Sequence, residues 1–124
     1  KKYVEANPNA RVYSGDDGMV YDFTPFGCVG LVSVASNAWP LETRAYVVKT
    51  LDKKLSKAEA ELWKKACDTL FIAANPVPVK NLMHVQGKIK TNLLRAPLNH
   101  LDFKDNSPVI EANEKIKNWY KENV

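Results

Sequence analysis

The sequence has only two cysteines and two histidines, and neither pair is placed for chemistry. Cys28 and Cys67 lack the close spacing of zinc ligands. Cys28 lies in an apolar run and Cys67 in a helical pattern, so both read as buried thiols kept reduced in a cytoplasm. His84 and His100 fall outside the motifs described below and read as surface or packing residues. With no histidine or third ligand beside them, Asp16 and Asp17 do not form a metal-binding pattern. Neither a metal nor another cofactor is expected. Long apolar runs are missing as well. The longest, residues 28–34 and 70–74, are far short of a membrane span, so no membrane association is expected. Lys1-Lys2 leads into Tyr3-Val4-Glu5 rather than an apolar stretch, which argues against a secretory signal. No methionine opens the chain, and the expectation is that it begins inside a longer product.

What is present suits a folded chain. Hydrophobic residues make up 45% and charged residues 26%, a globular balance. The net charge is +4, but the basic clusters do not read as a nucleic-acid surface. Lys53, Lys54, Lys57, Lys64 and Lys65 alternate with Glu59, Glu61 and Asp68, as on a solvated helix face, and no aromatic platform is interleaved with them.

Local signals give the order of elements. Residues 1–6 read as the end of a helix stopped at Asn7-Pro8-Asn9. A short strand is predicted at residues 11–14, then a turn in which Asp16 or Asp17 caps a short helix over residues 19–26. Residues 29–34 form a nearly continuous apolar run, the pattern of a strand buried on both faces of a helix-covered parallel sheet. A helix between the two strands implies a parallel crossover. Pro40 opens a helix to about residue 51, and Ser56 with Glu59 forms a capping box for another to about residue 73. The face of Ala60, Trp63, Ala66, Cys67, Leu70 and Phe71 is its predicted core side. A short helix over residues 79–85 and a last one from Ser107-Pro108 complete the chain. Val109, Ala112, Ile116, Trp119 and Tyr120 are predicted to face inward on the last. Two parallel strands cannot cover both of their own edges, so the pattern reads as the tail of a larger α/β fold.

Four segments carry a resemblance: Ser14-Gly15-Asp16-Asp17, the run from Gly30 to Asn37 (GLVSVASN), Asn75-Pro76-Val77-Pro78-Val79-Lys80, and Leu94-Arg95-Ala96-Pro97-Leu98. In this order they resemble the dihydrodipicolinate synthases, and they match the related N-acetylneuraminate lyases less well. The departures are Ala35-Ser36 where the family favours Thr-Ala, and bulky residues at Phe26 and Trp39. The resemblance implies an α/β fold, the C-terminal portion of a (β/α)8 barrel. Residues 1–52 would hold its last two β/α units, with strands seven and eight at 11–14 and 29–34. Residues 53–124 would be a C-terminal helical appendage.

The family condenses pyruvate with aspartate semialdehyde on the route to lysine and diaminopimelate. A lysine on the sixth strand forms a Schiff base with pyruvate. That lysine, the proton relay and the carboxylate-binding residues would lie upstream, so no catalytic residue is assigned here. Lys80 belongs to a motif and is not a candidate nucleophile. The resemblance assigns the backbone carbonyl of Val32 to pyruvate and places Gly15, Asp16 and Asp17 beside the aldehyde. At Gly15 a missing Cβ lets the chain pass close to the substrate. The carboxylates suit an ammonium group, though a turn and a helix cap explain them equally well. Partners implied are the upstream part of the same enzyme and further copies, as a homotetramer whose contact includes Asp22 and Phe26. A sibling pyruvate-dependent aldolase and a non-catalytic binding or structural module are the alternative readings.

Overall fold

Residues 2–99, 101 and 103–124 are described by a computed structural model; Lys1, His100 and Asp102 lie outside them. The chain opens with helix α1 (Lys2–Ala6) and strand β1 (Val12–Ser14). A 3-10 turn (Asp17–Met19), helix α2 (Val20–Phe23) and a second 3-10 turn (Thr24–Phe26) lead to strand β2 (Cys28–Leu31). Helices α3 (Ala35–Ala38) and α4 (Pro40–Leu51) follow. Helix α5 (Lys57–Asp68) runs into a 3-10 turn (Thr69–Phe71), and α6 (Val77–Val85) and α7 (Ser107–Asn123) end the chain.

The strands are parallel, as the crossover requires. Val12 lies opposite Cys28, Tyr13 opposite Gly30 and Ser14 opposite Leu31, with an irregularity between Val12 and Tyr13. The crossover closes at Gly27, whose φ of +95° favours glycine, and a Cβ there would meet Val4 of α1 at 2.9 Å.

Several boundaries differ from the sequence reading. The second strand ends at Leu31, because Ser33 bonds Asp17 and the chain turns into α3, a helix the sequence did not announce. The helix expected over residues 19–26 is one turn of α-helix between two 3-10 turns, with Pro25 inside the second. Helix α5 stops at Asp68. Helix α6 starts at Val77 because Pro78 fits the first helical turn. Val29 and Val32 are exposed rather than covered on both faces, since the described residues contribute two strands to this sheet. Phe71 is 50% exposed and Tyr120 half-buried, so neither belongs to the fully buried core.

The core lies where α4, α5 and α7 meet. Trp63 of α5 is fully buried between three aromatics. Tyr46 of α4 stacks on it at 4.6 Å, while Trp39 and Trp119 meet it edge-on at 6.3 and 5.2 Å. The same cluster runs from Val20 and Ala35 to Leu82 and Ile116, so the crossover and the later helices share one core.

Glu59 ties this core together. Its carboxylate accepts from Lys49 Nζ (2.8 Å), Trp119 Nε1 (3.0 Å), Ser56 N (2.8 Å) and Ser56 Oγ (2.7 Å), so it clamps α4 and α7 to the capping box of α5. Burial alone would raise its pKa; the bonds from Lys49, Ser56 and Trp119 outweigh burial and lower it to about 2. A depressed carboxyl stabilises the fold above its unfolded value near 4.5, and that contribution disappears as pH falls towards about 2. Glu59→Gln is therefore expected to cost about 1–2 kcal/mol at neutral pH after allowance for solvent screening. Denaturant titrations at several pH values should show the gap closing below pH about 3. A gap independent of pH would exclude this role.

Candidate active-site rim

The ends of β1 and β2 bring two of the four motif segments together, 14–17 and 30–37. At the end of β1, Ser14 is buried and its hydroxyl shapes the turn: Oγ donates to Asp16 O (2.7 Å) and accepts from Asp16 N (3.1 Å). Gly15 is exposed, with open space where a Cβ would stand.

The two aspartates then point in different directions. Asp16 is exposed and caps the 3-10 turn, with Oδ1 accepting from Gly18 N at 3.0 Å. Asp17 is 1% exposed. Its carboxylate accepts from the Ser33 hydroxyl, from Val34 N (3.0 Å) and from Ala35 N (3.3 Å). It thus supplies the internal acceptor for amides at the start of α3, pinning the turn after β1 to the end of β2.

Val32 continues the ladder by donating its N–H to Ser14 O at 2.8 Å. Its side chain is 71% exposed, and no hydrogen bond reaches its carbonyl from the described residues. Gly15, Asp16 and Val32 therefore form a rim with one backbone acceptor and one exposed carboxylate, while Asp17 holds the rim in shape.

The later motifs lie elsewhere. Lys80 of α6 donates to Leu93 O at 2.5 Å, so the Asn75–Lys80 segment is tied to the stretch just before Leu94-Arg95. His84 is exposed, with Nδ1 3.3 Å from Ile89 O, and the His100 reading lies outside the described residues. Among the described residues no cluster of three or more metal-ligating side chains occurs, and no helix is long and apolar enough to cross a membrane.

Sequence reasoning held Ser14 and Ser33 within the motifs at the strand ends but missed the hydrogen bonds by which they shape the rim, and it missed the approach of α5. Small polar residues at a strand end carry little signal beyond their place in a motif. Gly18 packs on α5 so closely that a Cβ would lie 3.3 Å from Lys64 Cα. Beside this contact Cys67, Asp68 and Phe71 border a cavity with Gly15 and Asp16.

The family model described as the dihydrodipicolinate synthetase family matches residues 1–115. The 4-hydroxy-tetrahydrodipicolinate synthase of Wolbachia pipientis wMel is 40% identical over 118 residues, which cover 95% of this chain and 40% of that protein. The enzyme of the same name from Francisella philomiragia is 39% identical over 119 residues, covering 96% of this chain and 40% of the relative. The solved structure of the 4-hydroxy-tetrahydrodipicolinate synthase from the methanotroph Methylacidiphilum fumariolicum SolV superposes with a TM-score of 0.73 at 32% identity, covering 90% of this chain and 38% of that one. The chain thus spans about 40% of the length of these curated relatives.

Proposed function

Because this chain belongs to the dihydrodipicolinate synthetase family, we propose that it is the C-terminal section of a lyase that condenses pyruvate with aspartate semialdehyde. The observation that carries this reading is the rim: Gly15, Asp16 and the free Val32 carbonyl stand together at the ends of two parallel strands, held there by Asp17. In this reading β1 and β2 are strands seven and eight of a (β/α)8 barrel, whose chemistry sits at the C-terminal strand ends. Residues 1–52 belong to the barrel and residues 53–124 to a helical appendage that shares its core.

The roles follow from chemistry. The Val32 carbonyl is an acceptor at the pyruvate position, open to the O–H or N–H that forms when the amine adds to the ketone, and substitution of its side chain leaves that role intact. Gly15 leaves space for the second substrate, and Asp16 offers a carboxylate to its amino group. Asp17, with its oxygens engaged internally, acts on binding by fixing the turn. The nucleophilic lysine belongs to the upstream part of the enzyme. Its amine adds to the pyruvate ketone, water leaves, and the enamine formed by loss of a methyl proton attacks the aldehyde.

The enzyme is proposed to work in the cytoplasm as a homotetramer. Phe26 and Phe23 are exposed and border an apolar groove with Tyr3, Val4, Val12 and Cys28, which supports a subunit contact at this crossover. Borohydride trapping of the pyruvate adduct in the complete enzyme tests the functional reading, with the adduct expected upstream of residue 1.

A further inference from the structure

The short helix α3 connects the rim to the rest of the chain. It begins at Ala35, three residues past Val32, and ends at Ala38. A helix this short does not hold itself, so its place depends on what grips its ends. At the start, Asp17 accepts from Val34 N and Ala35 N. At the far end the backbone leaves the helix at Trp39 (φ −129°, ψ 62°) before Pro40 opens α4. Ala38 is fully buried there, and its carbonyl accepts from Lys88 Nζ.

Lys88 comes from the helical region, and its backbone is fixed. Helix α6 ends in a Schellman motif: Gly87, at φ +71°, donates its N–H to His84 O (2.9 Å), and Lys88 N donates to Met83 O (2.9 Å). Burial first, then Lys117, lower the Lys88 pKa against the pull of Glu42, as expected of an ammonium partly withdrawn from water. Neighbouring bonds grip the same joint between α3 and α4. Asn113 Oδ1 of α7 accepts from Trp39 Nε1 (3.0 Å) and from Gln86 Nε2 (2.7 Å), and Lys117 Nζ of α7 donates to Glu42 Oε1 of α4.

We propose that Lys88 is a positioning residue for pyruvate: by holding the far end of α3, it sets the aim of the Val32 carbonyl. The inference rests on the functional reading above and goes beyond it, because the helical region then shapes the first substrate's site without touching that substrate. Without Lys88 the buried Ala38 carbonyl loses its partner, a costly state that α3 relieves by turning its end towards water. The amides that Asp17 grips move with it, and so does Val32 just before them. The aldehyde side is insulated. Gly15 and Asp16 stand on the turn after β1, which is held by the Ser14 hydroxyl and the Gly18 amide without α3.

The test uses the complete enzyme and separates the two substrates. The initial rate of borohydride trapping is followed against pyruvate concentration, and the aldehyde KM is measured at saturating pyruvate. Lys88→Met keeps most of the apolar stem at an exposed position, and thermal unfolding checks that the variant folds. It is expected to raise the half-saturating pyruvate concentration about three- to tenfold, the scale of one net hydrogen bond. The aldehyde KM should stay within about twofold. Lys88→Arg restores a charged donor and should bring the pyruvate value back to within about twofold of wild type. An unchanged pyruvate dependence, equal rises in both constants, or no recovery in Lys88→Arg would overturn the assignment, whatever happens to the melting temperature. Wild-type enzyme that forms no pyruvate adduct would overturn the functional reading itself, and the assignment would fall with it.

Discussion

Trp63→Ala is expected to cost about 3–5 kcal/mol of stability, the scale of removing a buried aromatic side chain from a close-packed core. The site cannot collapse easily. Tyr46 stacks on one face of the indole while Trp39 and Trp119 press on it edge-first; Trp39 and Tyr46 come from the N-cap and middle of α4, and Trp119 from α7. The cavity left behind would loosen α4 and α7 together. Trp63→Phe separates packing from polarity, because the buried indole N–H has no acceptor among the described residues. Phenylalanine removes that unpaired donor and keeps much of the apolar volume, so its cost should be well under half that of alanine. Chemical denaturation followed by aromatic fluorescence and circular dichroism would measure both. Equal losses for the two variants would show that the four-ring cluster is not the centre of the core.

Asp17→Ala should cost about 2–4 kcal/mol, since it strands the Ser33 hydroxyl and two amides at the start of α3 in a largely buried place. Asp16→Ala removes only a cap on an exposed turn and should cost about 1 kcal/mol. The kinetic order is reversed. In a complete enzyme Asp16→Ala is expected to raise KM for the aldehyde more than KM for pyruvate, because it stands exposed at the rim. Asp17→Ala should lower kcat/KM for both substrates together, through a turn that no longer holds Gly15 and Val32 in register. Thermal unfolding and steady-state kinetics on the two variants would decide. A stable Asp17→Ala enzyme with only the aldehyde KM raised would place Asp17, not Asp16, against the substrate.

The aspartate pair shows how far the sequence could be read. Its residue types and its place after a strand were legible, and both a turn-and-cap role and a substrate role followed from them. Which aspartate turns inward was not legible, because that choice depends on Ser33 and Ala35, sixteen and eighteen residues along the chain. The capping box at Ser56 and the proline starts of α4 and α7 were readable because they are local. The family was legible from four short segments in order, and the family model bears it out. The end of β2 was misplaced because the apolar pattern continues through Val32 and Val34 after the backbone has left the ladder. Phe71 was misjudged because it follows the helical period of α5, while the chain past Asp68 tightens into a 3-10 turn and carries it to the wall of the cavity beside Gly15 and Asp16. The approach of α5 to the rim is a tertiary event with no local signature beyond the small residue at Gly18.

Reductive trapping tests the central claim most directly: that residues 1–124 form one wall of a pyruvate-condensing site whose nucleophile lies upstream. The complete enzyme is incubated with pyruvate and borohydride, digested, and mapped by mass spectrometry. The account predicts one stoichiometric pyruvyl adduct on a lysine upstream of residue 1, with every lysine in the present segment unmodified. A stoichiometric adduct on any lysine within residues 1–124, or no adduct anywhere in the complete enzyme, would contradict it.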